Sequence, residues 1–144
     1  MYAQQGWTAE KSIEKALENA WTGDTWGGCR RFERLGPLDV HLLAMAIPEA
    51  CLRDRHNNAP TAGQLIQVVL TNPGNAMIGG YRIEVPRADE RISIDALWIR
   101  GSDPKTAWGW LEKQLPGLSG SHSPDEASVR RDQAGGMWVR MWWD

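Results

Sequence analysis

Between residues 8 and 21 the apolar side chains recur at helical spacing. Ala9, Ile13, Ala16, Leu17, Ala20 and Trp21 form one stripe, and Glu10, Lys11, Glu14, Lys15 and Glu18 occupy the other side. Thr8 stands where an N-cap belongs, so one amphipathic helix is expected over 8–21. The stretch 22–36, TGDTWGGCRRFERLG, is glycine-rich and holds no sustained period; it predicts a loop with Arg30, Arg31 and Arg34 clustered in it. In 37–56, Pro48 would clash with the carbonyl of Ala44 inside a continuous helix, which predicts two shorter helices, 38–47 and 48–56, with Pro48 opening the second. Thr61 can cap a further helix, although the β-branched run containing Ile66, Val68 and Val69 leaves a strand over 65–70 as the competing reading. Asn72-Pro73-Gly74-Asn75 has the composition of a turn.

The period then changes from helical to alternating. Met77, Tyr81, Ile83 and Val85 alternate with Ile78, Arg82 and Glu84, and Ile92, Ile94, Ala96 and Trp98 alternate with Ser93, Asp95, Leu97 and Ile99. Two strands joined through 86–90 make a β-hairpin. Asp103-Pro104 opens a helix in which Pro104, Trp108, Leu111 and Leu115 share a face before Pro116-Gly117 stops it. Ser123, Pro124 and Glu126 have the spacing of a capping box, predicting a short helix to residue 131 that Gly135-Gly136 ends. A tryptophan-rich strand over 137–143 closes the chain. The fold class is therefore α+β: N-terminal helices followed by a small, mainly antiparallel β-β-α-β sheet. Leu97, Ile99, Trp138 and Trp142 make the sheet's second face too apolar for open water, so helices are expected over both faces. One domain over 1–144 is expected, with a mainly helical half (1–75) and a sheet-containing half (76–144); no repeat is visible.

Composition narrows the function classes. The 42% hydrophobic and 24% charged residues are those of an ordinary folded protein. Sixteen basic and 18 acidic side chains leave a formal charge of -2, spread evenly over the two halves, which argues against a bulk polyanion binder. The opening MYAQQGWTAEK has neither a basic start nor an apolar run, and no stretch of about 18 apolar residues follows, so no leader, no membrane and a cytoplasmic compartment are expected. Cys29 and Cys51 read as free thiols. Arginine outnumbers lysine 12 to 4, a usage associated with GC-rich bacterial or phage genomes.

Nine tryptophans are the compositional anomaly. Trp21, Trp98 and Trp108 lie on expected core stripes, whereas Trp7, Trp26, Trp110 and the pair Trp142-Trp143 are less accounted for. Tryptophan and arginine dominate desolvated interfaces, so the expected partner-binding residues are Trp26, Arg30, Arg31, Arg34, Trp110, Arg140, Trp142 and Trp143. Nucleic-acid binding is the alternative. Helices followed by a hairpin have the order of a winged-helix module, but residues 61–75, which would be its recognition helix, contain no charged side chain. A sheet face bearing Arg82, Trp138, Arg140 and Trp142 is the other candidate, opposed by Glu84 and Asp95 on the same face.

Catalytic signals are thin. Asp39, His41, Cys51, Asp54 and His56 lie close in sequence, but no pair among His41, Cys51 and His56 has the spacing that puts two ligands on one helix turn. Cys51 with His56, or Cys29 with His41, would form a thiolate pair only through the fold. Ser119, Ser121, His122, Ser123 and Asp125 share one window without a nucleophile elbow, and neither phosphate-binding glycine motif occurs, so no cofactor is expected. Asp95, mid-strand among apolar neighbours, is read as paired with Arg82, Arg100 or Arg140. These exclusions lead to a small non-enzymatic protein that binds a macromolecule, in the first instance another protein. An inhibitor, immunity or anti-defence factor is the kind of role expected. A nucleic-acid module and a small Cys/His enzyme are the alternatives, and the oligomeric state is left open.

Overall fold

The computed structural model describes residues 4–144, so the start of the chain, read above for a leader, lies partly outside the described residues. Six strands form one antiparallel sheet: β1 (Trp21–Trp26), β2 (Cys29–Leu35), β3 (Ala76–Ile83), β4 (Arg91–Arg100), β5 (Glu126–Arg131) and β6 (Met137–Trp142), in the order β1-β2-β3-β4-β6-β5. Five α-helices accompany it: α1 (Lys11–Leu17), α2 (Pro37–Ala46), α3 (Glu49–Leu52), α4 (Ala62–Thr71) and α5 (Pro104–Gln114). The α+β class holds, while the β-β-α-β topology is replaced by a larger sheet that takes its first hairpin from within residues 1–75. No helix among the described residues is long and apolar enough to cross a membrane.

Two segments differ in kind from their sequence reading. The expected loop 22–36 is the β1–β2 hairpin: Trp26 pairs directly with Cys29, and Gly27 and Gly28, at φ 48° and 84°, form the two-residue turn that glycine makes possible. The expected helix over 123–131 is β5, because Ala127 and Val129 alternate with Ser128 and Arg130 and the segment pairs along its length with β6. The helix 8–21 is also shorter than its stripe. Thr8 is fully buried, and its N–H and hydroxyl both donate to the Glu90 carboxylate, at 3.1 and 2.5 Å, while Gly6 N–H donates to the same group at 2.9 Å. That clamp from the β3–β4 connection removes Thr8 from capping duty, and α1 starts three residues later.

Elsewhere the local signals hold. Pro48 separates two helices, one position earlier than expected, as the N-cap of a short α3. Residues 65–70 are helical: the capping box of Thr61 and Gln64 starts α4, and tertiary burial of Leu65, Ile66, Val68 and Val69 outweighs their β propensity. Asp103 caps α5, with Pro104 in its first turn. Both cysteines are free and buried.

All helices share one face of the sheet. Ile13 and Leu17 of α1, Val40 and Leu43 of α2, Leu65 and Val69 of α4 and Leu111 of α5 join Phe32, Ile78, Ile94, Leu97, Val139 and Met141 in a single core. This corrects the expectation of helices on both faces, and a β-bulge supplies half the reason. Gly79 pairs with Ala96 but Gly80 pairs with Ile94, so Asp95 is an extra residue on β4. Beyond the bulge the alternation changes phase. Ile92, Ile94, Leu97 and Ile99 therefore all enter the core, leaving Ser93, Asp95, Ala96 and Trp98 on the helix-free face.

The Glu90 clamp gives a first prediction. Glu90→Ala leaves two buried donors of Thr8 without an acceptor and should cost about 2 kcal/mol, measured by denaturant unfolding. A loss below about 0.5 kcal/mol would show that water replaces the carboxylate.

Candidate sheet-face interface

The other half of the reason lies on the helix-free face itself. Two of its indoles, Trp98 and Trp138, are shielded by guanidinium groups rather than by a second layer of helices. Arg34 lies over Trp98 at 4.7 Å and Arg140 at 6.0 Å, and Arg100 lies over Trp138 at 4.5 Å. Stacking of this kind covers apolar ring surface while the guanidinium edges stay wet. Trp98 and Trp138 are thereby reduced to 4% and 5% exposure with no element above them.

A floor of small residues lets charged side chains from distant strands meet. Gly79 of β3 and Ala96 of β4 are paired neighbours in the sheet, and a Cβ on Gly79 would stand 1.9 Å from the Glu33 carboxylate. Glu33, entering from β2, crosses this floor to Arg140 of β6. Arg140 donates to Glu33 Oε2 through Nε at 3.2 Å and Nη2 at 2.6 Å. Arg31 Nε donates to the same oxygen at 2.9 Å, and Trp98 Nε1 donates to Oε1 at 2.9 Å. The Arg31 fork also holds Asp95 bidentately, Nη1 to Oδ2 at 3.0 Å and Nη2 to Oδ1 at 2.8 Å, and Trp142 Nε1 adds a donor to Oδ2 at 3.3 Å. Asp95 is thus paired, as expected, but with Arg31, which the bulge turns it towards.

The electrostatics follow from the contacts. Burial alone would raise the Glu33 carboxyl, but the hydrogen bond from Arg140, the charge of Arg31 and the Trp98 donor outweigh it and hold the group below its ordinary value. Desolvation likewise works against the Arg31 cation, and its bonds to Asp95 and Glu33 more than compensate, keeping it firmly charged. Glu33 accepts four hydrogen bonds and Asp95 three, so both carboxylates are largely engaged within the network, while several guanidinium N–H groups remain unused. Arg34 is exposed and at φ 57°, and its guanidinium makes no hydrogen bond or ion pair among the described residues. Arg130 uses only Nε, on Ser128 Oγ at 3.0 Å.

The face divides at Arg31. On one side is a groove of about 730 Å³ between the β1–β2 hairpin and β5–β6, lined among others by Arg34, Trp98, Arg130 and Arg140. On the other is a smaller hollow of about 380 Å³ reached by Trp26, Cys29, His56, Tyr81 and Trp142. Trp26 is 47% exposed and leans on Tyr81, which with Cys29 and Ile83 forms a small apolar cluster.

Of the sequence-expected partner residues, the structure brings together Trp26, Arg31, Arg34, Arg140 and Trp142. It sets three apart. Trp143 is completely buried in the core, with Nε1 donating to the His122 carbonyl at 2.8 Å. Arg30 lies over Trp21 at 4.1 Å, on the side where Arg82 also stacks and reaches Glu14. Trp110, on α5, borders a separate pocket of about 400 Å³ beside the end of β4. Arg82, expected alongside Trp138 and Arg140, therefore belongs to the helix side of the sheet. Glu33, Asp95, Trp98 and Arg130 complete the face, and the sequence signal for Glu33 was the alternation of Cys29, Arg31 and Glu33 about Phe32.

Neither candidate thiol–imidazole pair is brought together. Cys51 Sγ meets the Ile92 carbonyl at 3.5 Å, and burial pushes its thiol up to about 11, so it is protonated at neutral pH. Cys29 Sγ accepts from Arg87 Nη1 at 3.0 Å, and His56 Nδ1 faces the Tyr81 hydroxyl at 3.1 Å and Ser93 Oγ at 3.2 Å. His41 is exposed on α2. In the Ser119 window, Ser119 and His122 cap a single turn. No group of three or more possible metal ligands occurs among the described residues. No protein-family model, curated protein or solved structure matches this chain.

Proposed function

We propose that this protein acts by binding another protein through the helix-free face of its sheet, without a reaction of its own. The observation that carries the reading is the cross-strand network of Arg31, Glu33, Asp95 and Arg140, flanked by Trp26 and Trp142 and covered by no other element. Arginine and tryptophan are the side chains that anchor interfaces, and here they are held in place before any partner arrives, so little ordering entropy opposes docking. A compact binder of this kind suits an accessory factor of the inhibitor, immunity or anti-defence type. The nucleic-acid alternative needs open aromatic faces for bases to stack on. Trp98 and Trp138 are each covered by arginine and both Arg30 and Arg82 lie over Trp21, so the indoles of the face without an arginine, Trp26 and Trp142, do not make the continuous stacking platform a strand of bases needs.

Pull-down of the tagged protein from its native host, with nuclease present, tests the reading. Wild type should capture a stoichiometric protein, and Trp26→Ala should reduce capture about tenfold, the effect of losing one interface anchor, while thermal unfolding stays cooperative. Capture that vanishes on nuclease treatment, or that ignores Trp26→Ala and Trp142→Phe alike, overturns it.

A further inference from the structure

We infer that the groove between the β1–β2 and β5–β6 hairpins takes an acidic segment of the protein partner, its Asp or Glu carboxylates seated on Arg34, Arg130 and Arg140. The inference rests on the protein-binding reading above and names the chemistry of the partner. Three features of the groove support it.

First, the charges inside the groove are unequally spent. Glu33 is engaged by Arg31, Arg140 and Trp98 through four hydrogen bonds, three of them on Oε2. Asp24, the other carboxylate lining the groove, already accepts from the Thr22 hydroxyl at 3.3 Å. Arg34 is unpaired among the described residues, Arg130 has only its Ser128 contact, and Arg140 keeps its Nη1 donors free after both bonds to Glu33. Four guanidinium groups, Arg31, Arg34, Arg130 and Arg140, line the groove against the two carboxylates Glu33 and Asp24, so its balance is positive and favours an anion.

Second, the donors are pre-oriented. Arg34 lies on the Trp98 ring and Arg140 is clamped by Glu33, so both planar forks are fixed before binding. A fixed guanidinium edge matches a carboxylate bidentately, whereas a lysine would act only as a point charge. Third, the groove's aromatic rings are already stacked by guanidinium groups, Trp98 by Arg34 and Arg140 and Trp21 by Arg30 and Arg82. At about 730 Å³ the groove admits a short run of side chains.

The test is fluorescence anisotropy of the full-length protein with a labelled oligoglutamate, a Gly–Ser peptide of equal length and an oligo-dT of equal length. Oligoglutamate should bind, weakening as salt is raised from about 50 to 200 mM. Arg34→Ala/Arg130→Ala should weaken it by about tenfold or more, equivalent to about 1.4 kcal/mol. Arg53→Ala/Arg55→Ala, which removes the same two charges from outside the groove, should leave it within about twofold. Equal loss in both double variants, or no oligoglutamate binding while host-protein capture persists, overturns the acidic-segment inference alone. Tighter binding of oligo-dT than of oligoglutamate, lost in Arg34→Ala/Arg130→Ala, overturns the protein-binding reading with it.

Discussion

Replacing Glu33 by alanine is expected to destabilise the protein by about 3 kcal/mol, the lower end of what breaking a buried ion pair costs. The Glu33 side chain is 14% exposed and that of Arg140 12%, so solvent relieves part but not most of the loss. Arg31 keeps its fork on Asp95, but Arg140 loses its only ion-pair partner among the described residues and Trp98 loses the acceptor for Nε1. Urea unfolding measures the change, and a loss under about 1 kcal/mol would show that the network is decoration on a face already stable without it. Glu33→Gln separates charge from shape, because it keeps an acceptor for Trp98 while giving up the charge that both arginines share. The pH dependence carries the same signature. A carboxyl held below its ordinary value of 4.5 lends stability that is fully present above that pH and is lost as the pH falls through the lowered native value. Wild type should therefore lose stability in acid more steeply than Glu33→Gln, and the two curves should converge at the lowest pH.

That network also marks where sequence reading stops. Helix caps and turns are local, so Thr61 with Gln64, Asp103 with Pro104, and the alternation of β3 and β4 were legible from neighbours in the chain. The β1–β2 hairpin was read as a loop although Gly27-Gly28 between Trp26 and Cys29 is a two-residue turn signal, because three arginines and two further glycines in the segment resemble loop composition. The capping box at Ser123 misled because the same residues alternate, and pairing with β6 outweighs a local cap in so short a segment. Thr8 and Glu90 were out of reach altogether. Eighty-two positions separate them, and only the folded chain brings that carboxylate to those donors.

The site was half legible for a related reason. Residue type pointed to the arginines and tryptophans, but which face each occupies depends on one inserted residue at Asp95. Uninterrupted alternation puts Leu97 and Ile99 beside Asp95 and Trp98 opposite; the bulge reverses both. An apolar second face was therefore inferred where there is an arginine-stacked one, and helices were assigned to cover it.

Gly80→Ala should show how much depends on that insertion, with an expected cost above about 3 kcal/mol, or roughly 6–12 °C in Tm for a chain of this size. A Cβ at Gly80 would lie 2.0 Å from the Ser93 carbonyl oxygen and 3.0 Å from the Phe32 ring. Phe32 is fully buried and cannot swing away, and the oxygen belongs to backbone just before the bulge. Relief thus requires shifting β4 over Ser93 to Asp95, which pulls Asp95 off the Arg31 fork and displaces the acceptor of Trp142 Nε1. The stability loss should then be accompanied by altered near-ultraviolet dichroism from the face tryptophans and by weaker partner capture at temperatures where the variant remains folded. A variant with Tm within about 2 °C of wild type would mean that the strand moves freely there. The bulge would then be able to move without dismantling the Asp95–Arg31 pair that it positions.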